Sequence, residues 1–266
     1  MLKQRLATAA VAIPLLIWLI LWAPGWFYST VVLAFTFLSL RELAAMQQVA
    51  IAGATWLTVG AGMTIALAML VDATGSTLSA GVVVALIGVL LGTLASAEDM
   101  RRSVVGAGEL LFASLYGGLL LPHLIWLRNI EHGPGLVFFV LATSMASDAG
   151  GFFAGRAYGH RKLWPTVSPN KTVEGAAGSV AAAVVIGSLF QLLLVGRFGF
   201  FESILVTATM SVLAQLGDLS ESMIKRAYDA KDSGWIIPGH GGVLDRTDSM
   251  VLPIVFTYYY ASLAWA

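Results

Sequence analysis

The stretch Thr77–Ala97, T-L-S-A-G-V-V-V-A-L-I-G-V-L-L-G-T-L-A-S-A, carries no charge over 21 residues. As a helix it is long enough to cross a hydrocarbon layer about 30 Å thick. Eight more apolar stretches run over 6–23, 25–40, 49–71, 104–127, 134–148, 174–196, 200–217 and 247–265, of which 25–40, 134–148 and 200–217 are short or contain polar residues. Pro14 falls inside the first of these, where a kink is expected rather than a break. That span is too long for a removable signal peptide and lacks a small-residue cleavage site. The composition agrees: 58% of the 266 residues are hydrophobic and 11% are charged, against about 25% charged in soluble domains. Fifteen basic residues balance fifteen acidic ones, which excludes a generally cationic nucleic-acid binder. With no cysteine, disulfides, thiolate catalysis and cysteine metal sites are excluded too. The expected fold is all-α, a polytopic integral membrane protein of about nine transmembrane helices.

Charge placement tests that count. With nine spans, Lys3, Arg5, Arg41, Arg101, Arg102, Arg156, Arg161, Lys162, Lys171, Lys225, Arg226, Lys231 and Arg246 fall on the N-terminal side. Only Arg128 and Arg197 fall on the other. Thirteen against two places the N-terminus in the cytoplasm by the positive-inside rule, and the odd span number places the C-terminus outside. The chain then reads as five N-terminal spans over 1–127 and a catalytic region of four spans over 128–266. The latter has cytoplasmic loops at 147–173 and 217–248.

Those two loops hold most of the chain's Asp, Lys, Arg and His. Ionisable groups near membrane depth are costly and point to function by default. Asp218, Ser222 and Lys225 stand at i, i+4 and i+7, one face of a helix. Asp245 and Asp248, three apart, share a face at the entry to the last span. Carboxylates without cysteine and with few histidines suit a hard cation such as Mg²⁺. Lys225, Arg226, Lys231 and Arg246 lie in the same region, and carboxylate-held metal beside such cations suits triphosphate chemistry. The run Pro238–Gly242, P-G-H-G-G, is a turn whose backbone N–H groups can approach phosphate.

Each feature also has a plainer explanation. Asp218 to Lys225 reads equally as a solvated helix end, with Glu221 and Lys225 as an ordinary i,i+4 pair. Glycines 239, 241 and 242 alone more often mark a turn, and His240 alone a solvated interfacial side chain. Glu109 and His123 fit a buried structural pair. Lys3, Arg5, Arg101 and Arg102 fit topology determinants or anionic-lipid contacts. The combination carries the functional reading.

That combination resembles the CDP-diacylglycerol synthases (phosphatidate cytidylyltransferases). The run from Ser222 to Asp248, S-M-I-K-R-A-Y-D-A-K-D-S-G-W-I-I-P-G-H-G-G-V-L-D-R-T-D, is similar to their signature at every defining position. Upstream, Ser147-Asp148, Gly155-Arg156 and Ser168-Pro169-Asn170-Lys171-Thr172 resemble the family's other loop, where Asn170 departs from the usual S-P-K-K-T. Phe153 is a second, mild departure, with an aromatic ring exchanged for Tyr.

The resemblance implies that CTP and phosphatidate give CDP-diacylglycerol and pyrophosphate at the inner membrane, on its cytoplasmic face. It implies Mg²⁺, with a second cation such as K⁺, and a homodimer in the lipid bilayer. Asp218, Asp245 and Asp148 would then hold metal, with Ser222, Lys225 and Asp248 completing the catalytic set. Lys171, Arg156, Ser168, Arg226, Lys231, His240 and Arg246 would bind substrate phosphates. Two other classes remain: a CTP-dependent transferase on an isoprenoid lipid or polyprenyl phosphate, and a transporter with broken helices. Against a transporter, the charges crowd at one face and no repeat is visible. The absence of a D-G-x-x-A-R motif disfavours a CDP-alcohol phosphotransferase.

Overall fold

The computed structural model describes residues 2–71, 75–96, 98–234 and 241–265. The apolar runs form helices, since in hydrocarbon only a helix satisfies its own backbone polar groups. In order these are α1 (Leu2–Leu21), α2 (Gly25–Met46), α3 (Ala54–Val71), α4 (Ser76–Ala95), α5 (Met100–Leu119), the short α6 (His123–Asn129), α7 (Gly133–Tyr158), α8 (Val173–Leu194), α9 (Phe200–Ala227) and α10 (Leu244–Ala264). Between α7 and α8, strands β1 (Lys162–Trp164) and β2 (Ser168–Thr172) pair antiparallel, with Lys162 opposite Thr172.

Among the described residues, seven helical segments are long and apolar enough to cross a membrane: α2, α3, α4, α5 continued by α6, α7, α8 and α9. On α4, Val84, Ile87, Leu91 and Leu94 are exposed, a surface suited to lipid tails rather than water. The protein is an all-α membrane protein. Helix reaches into both polar stretches, 147–173 and 217–248: α7 continues to Tyr158 and α9 to Ala227. The polar residues that end the apolar runs do not end the helices, because small residues there keep packing against neighbouring helices.

The chain folds as two compact units, Met1–Trp126 with Asp232–Arg246, and Leu127–Lys231 with Thr247–Ala266. In the first unit α3 packs against α2, α4 and α5. Gly62 and Gly117 both lie against the buried Leu40, and Gly118 lies against the backbone of Gly62, leaving no room for a Cβ. Such close approach is how membrane helices associate where lipid competes equally for apolar surface. The buried Trp126 indole donates to the Met69 carbonyl at 2.7 Å, and Gln47 Nε2 donates to the Glu109 carbonyl at 2.8 Å.

In the second unit α7 and α8 form the tightest pair. Gly150 and Gly178 leave space only for each other's backbone and for Ala182 and Ala154, and Gly151 is filled by Ser179. α9 meets α10 at Gly217, which lies against the Asp248 carbonyl where no Cβ would fit. That contact brings the polar end of α9 beside the first turns of α10.

Candidate active site

The second unit contains a cleft of about 500 Å³ walled by α7, the β1–β2 hairpin, α8 and α9. Four residues singled out from the sequence line it: Asp148 and Arg156 on α7, Lys171 on β2 and Asp218 on α9. Lys171 Nζ pairs with Asp218 Oδ2 at 2.7 Å, with both side chains roughly a quarter to a third exposed. Local structure fixes the lysine. Thr172 caps α8, its Oγ1 accepting from Gly175 N at 3.1 Å, so the strand turns into the helix directly after Lys171. Glu174 Oε2 accepts from the backbone N–H groups of His160 at 3.0 Å and Arg161 at 3.1 Å, which ties the base of the hairpin to α8. Gly151, Gly155 and Gly175 line the same space.

Three aspartates from three helices interact here. Asp148 accepts from Ser249 Oγ at 2.9 Å, and Asp248 accepts from Ser249 N at 2.7 Å. Asp248 feels the negative charges of Asp218 and Asp148 and the positive charge of Lys225, while Asp148 feels Asp218 and Lys171. Ser222 Oγ reaches Asp218 Oδ1 only at 3.4 Å, a long contact. Lys225 forms an i,i+4 pair with Glu221, whose side chain is fully buried, so its charge serves a buried carboxylate as well as the neighbourhood of Asp248. Like charges held together in a partly desolvated place favour a cationic ligand. Among the described residues no three Asp, Glu or His side chains converge as a ready metal cage. The donor set nevertheless fits Mg²⁺, which is usually held by one or two carboxylates together with substrate phosphates rather than by an all-protein cage.

The remaining expected residues are distributed differently. Arg226 is exposed in the last turn of α9, and Lys231 is exposed beyond it. Ser168 opens β2 opposite Trp164 and is not part of the cleft lining. His240 and part of the Pro238–Gly242 turn lie outside the described residues. Asp245 and the exposed Arg246 belong to the first unit. There Asp245 accepts from Ser233 N at 3.0 Å, Ser233 Oγ at 2.9 Å and Gly242 N at 3.0 Å. Beside it Glu42, 4% exposed on α2, accepts from Val243 N at 2.9 Å, Leu244 N at 2.8 Å and Ser233 Oγ at 3.3 Å.

Sequence reasoning passed over Gln215 and Ser179, which line the cleft, and Glu42. Gln215 stands three residues before Asp218 on one helix face, a carboxamide in an otherwise apolar run, and that spacing was a usable signal. Glu42 had a weaker one, a single carboxylate at the end of an apolar stretch beside Arg41.

Comparison with known proteins bears directly on this geometry. The profile of the family described as "Cytidylyltransferase family" matches residues 3–264. A phosphatidate cytidylyltransferase of Brucella suis is 35% identical over 269 residues, covering 98% of this chain and 94% of that protein. One from Bacillus subtilis is 43% identical over 157 residues, covering 59% of this chain and 58% of its own length. One from Haemophilus influenzae is 42% identical over 134 residues, covering 48% of this chain and 46% of its own. Since the family match spans both units, including the Asp218 cleft and the Glu42–Asp245 segment, the chain belongs to the cytidylyltransferase family.

Proposed function

We infer that the protein transfers a cytidylyl group from CTP to phosphatidate, forming CDP-diacylglycerol and pyrophosphate. The observation that carries this reading is the cleft in which Lys171 and Arg156 stand beside Asp148 and Asp218, in a chain matched end to end by the cytidylyltransferase family. A phosphatidate phosphate oxygen attacks the α-phosphorus of CTP, and the bond from that phosphorus to the bridging oxygen of the β-phosphate breaks. The nucleophile is already anionic at neutral pH, so no strong general base is needed. The obstacle is the repulsion between two polyanions, which positioned cations reduce. Lys171, anchored on Asp218, presents charge to an incoming phosphate, and Arg156 offers five N–H donors from the end of α7. Gly151, Gly155 and Gly175 line the cleft where α7 and α8 approach closely, so no side chain of theirs stands in the phosphate's way.

Mg²⁺ belongs to this reading, with Asp218 and Asp148 as the carboxylates that would hold it and K⁺ as a second cation; bound there, it would neutralise phosphate charge. Asp248, Ser222 and Lys225 complete the catalytic set. Ser168, Arg226, Lys231, His240 and Arg246 supply further phosphate contacts. Nine spans, a cytoplasmic N-terminus, a site open to the cytoplasmic leaflet of the inner membrane, and a homodimer complete the proposal. The thirteen-to-two distribution of Lys and Arg supports the orientation.

Label transfer from CTP into lipid by purified protein tests the reading, with phosphatidate compared against polyprenyl phosphate and isoprenoid ether lipids. Transfer to phosphatidate that stops with a chelator and returns with Mg²⁺ is expected. Preferential transfer to another lipid phosphate would overturn the substrate, and no transfer to any would overturn the reaction.

A further inference from the structure

We propose that Glu42 is a positioning residue for cytidylyl transfer, acting through the segment that leads into α10. Its carboxylate is buried at the end of α2, far in sequence from every group it touches. Oε1 accepts from Val243 N at 2.9 Å and Oε2 from Leu244 N at 2.8 Å, a two-oxygen grip on the start of α10 across 201 and 202 residues of chain. Those N–H groups are among the donors that a helix start leaves without intrahelical partners. A carboxylate there also meets the positive end of the helix dipole.

A buried carboxylate is costly unless well supplied with donors, and the chain supplies them at several positions. Ser233 Oγ stands 3.3 Å from Glu42 Oε2 and 2.9 Å from Asp245 Oδ2, so one hydroxyl bridges two carboxylates. Ser233 N and Gly242 N, both at 3.0 Å from Asp245 Oδ2, join the two ends of the segment. Gly234 and Gly242 exist as glycines for a spatial reason: a Cβ on the first would lie 2.6 Å from Glu42 Oε1, and on the second 2.7 Å from Oε2. Glu42, Ser233, Gly234, Gly242 and Asp245 therefore form one closed stem.

The stem fixes the start of the helix whose next turn carries Asp248 and Ser249, the pair engaged with the cleft aspartates. Arg246, named above as a phosphate contact, lies on the same first turn. Glu42 touches no substrate on this account; it determines where the first turn of α10 stands. A displacement of about 1 Å in groups that orient reactants costs about a hundredfold in rate.

The inference rests on the cytidylyl-transfer reading, and wild-type protein assayed in parallel separates the two: inactive wild type defeats that reading, whereas active wild type with equally active variants defeats this one. In Glu42→Gln a carboxamide turns one N–H group toward the α10 donors. Correctly inserted, folded Glu42→Gln is expected to lose about a hundredfold in kcat while KM for CTP stays within about threefold, the split for a group acting after binding. Ser233→Ala removes only the bridging hydroxyl and is expected to lower kcat about tenfold at unchanged melting temperature; it decides the matter if Glu42→Gln does not fold. Glu42→Gln combined with Ser233→Ala should be no worse than Glu42→Gln alone, since both act through one stem. Unchanged kcat in either folded single variant, losses that multiply in the double variant, or activity falling only in proportion to folded protein would overturn the proposal.

Discussion

Two groups of carboxylates in this protein are built by opposite rules. In the second unit, Asp148, Asp218 and Asp248 feel one another's charge and that of nearby lysines, with the Ser222 and Ser249 hydroxyls and the Ser249 backbone N–H as donors. In the first unit, Glu42 and Asp245 are surrounded by backbone N–H groups and the Ser233 hydroxyl. Backbone donors cannot leave, so a carboxylate they saturate is a fixture of the fold. A carboxylate facing its own kind, with a flexible lysine as counter-charge, keeps its capacity for a ligand that comes and goes. The run from Ser222 to Asp248 thus contributes Asp245 to the group held by the backbone and Asp248 to the group beside the cleft aspartates.

The sharpest way to break this contrast is at its two centres. Asp218→Asn is expected to lower kcat by about a thousandfold or more with little change in melting temperature, because the lost charge serves chemistry rather than folding. Substantial turnover in label transfer from CTP would remove Asp218 from the site. Asp245→Asn should instead lose activity and also about 1–3 kcal/mol of stability, since backbone donors lose a charged acceptor. Thermal unfolding in detergent unchanged from wild type would show that the stem does not depend on it.

Lys171 and Lys225 sharpen the same contrast among cations. Lys171→Gln should lower kcat/KM for CTP about a hundredfold at nearly normal stability, as expected for a lost contact to developing charge. Lys225→Ala leaves the fully buried Glu221 without its paired lysine and should destabilise by about 3 kcal/mol. Adding Glu221→Gln should restore much of that stability, and a double variant as unstable as Lys225→Ala would refute the pairing. At the small end, Arg102→Ala removes an exposed ion pair of 3.7 Å to Asp99 and should alter neither turnover nor melting temperature.

The spans were legible because a strongly apolar run of such length has only one stable form in lipid. The continuation of α7 past Ser147 and of α9 past Gly217 was not, because the residues that extend those helices look like loop residues one at a time. Their helical form depends on neighbours: Gly150, Gly151 and Gly155 find room only against α8, and Gly217 only against the Asp248 carbonyl. Asp148, Arg156, Lys171 and Asp218 were readable as a set because their types share one chemistry, and the structure gathers them in one cleft. Glu42 carried no such chemical grouping. Its partners stand 191 to 202 residues later, and one carboxylate beside Arg41 says nothing of where they are.

The glycine and alanine seam between α7 and α8 has a consequence for how a two-tailed lipid enters. Acyl chains penetrate helical proteins where bulky side chains leave furrows between them, and here Gly150, Ala154, Gly178 and Ala182 meet with no furrow left. The wall that carries Gly151, Gly155 and Gly175 into the cleft is therefore closed to hydrocarbon. Glycine-to-valine changes in the seam would force α7 and α8 apart at these contacts before they altered any charged group.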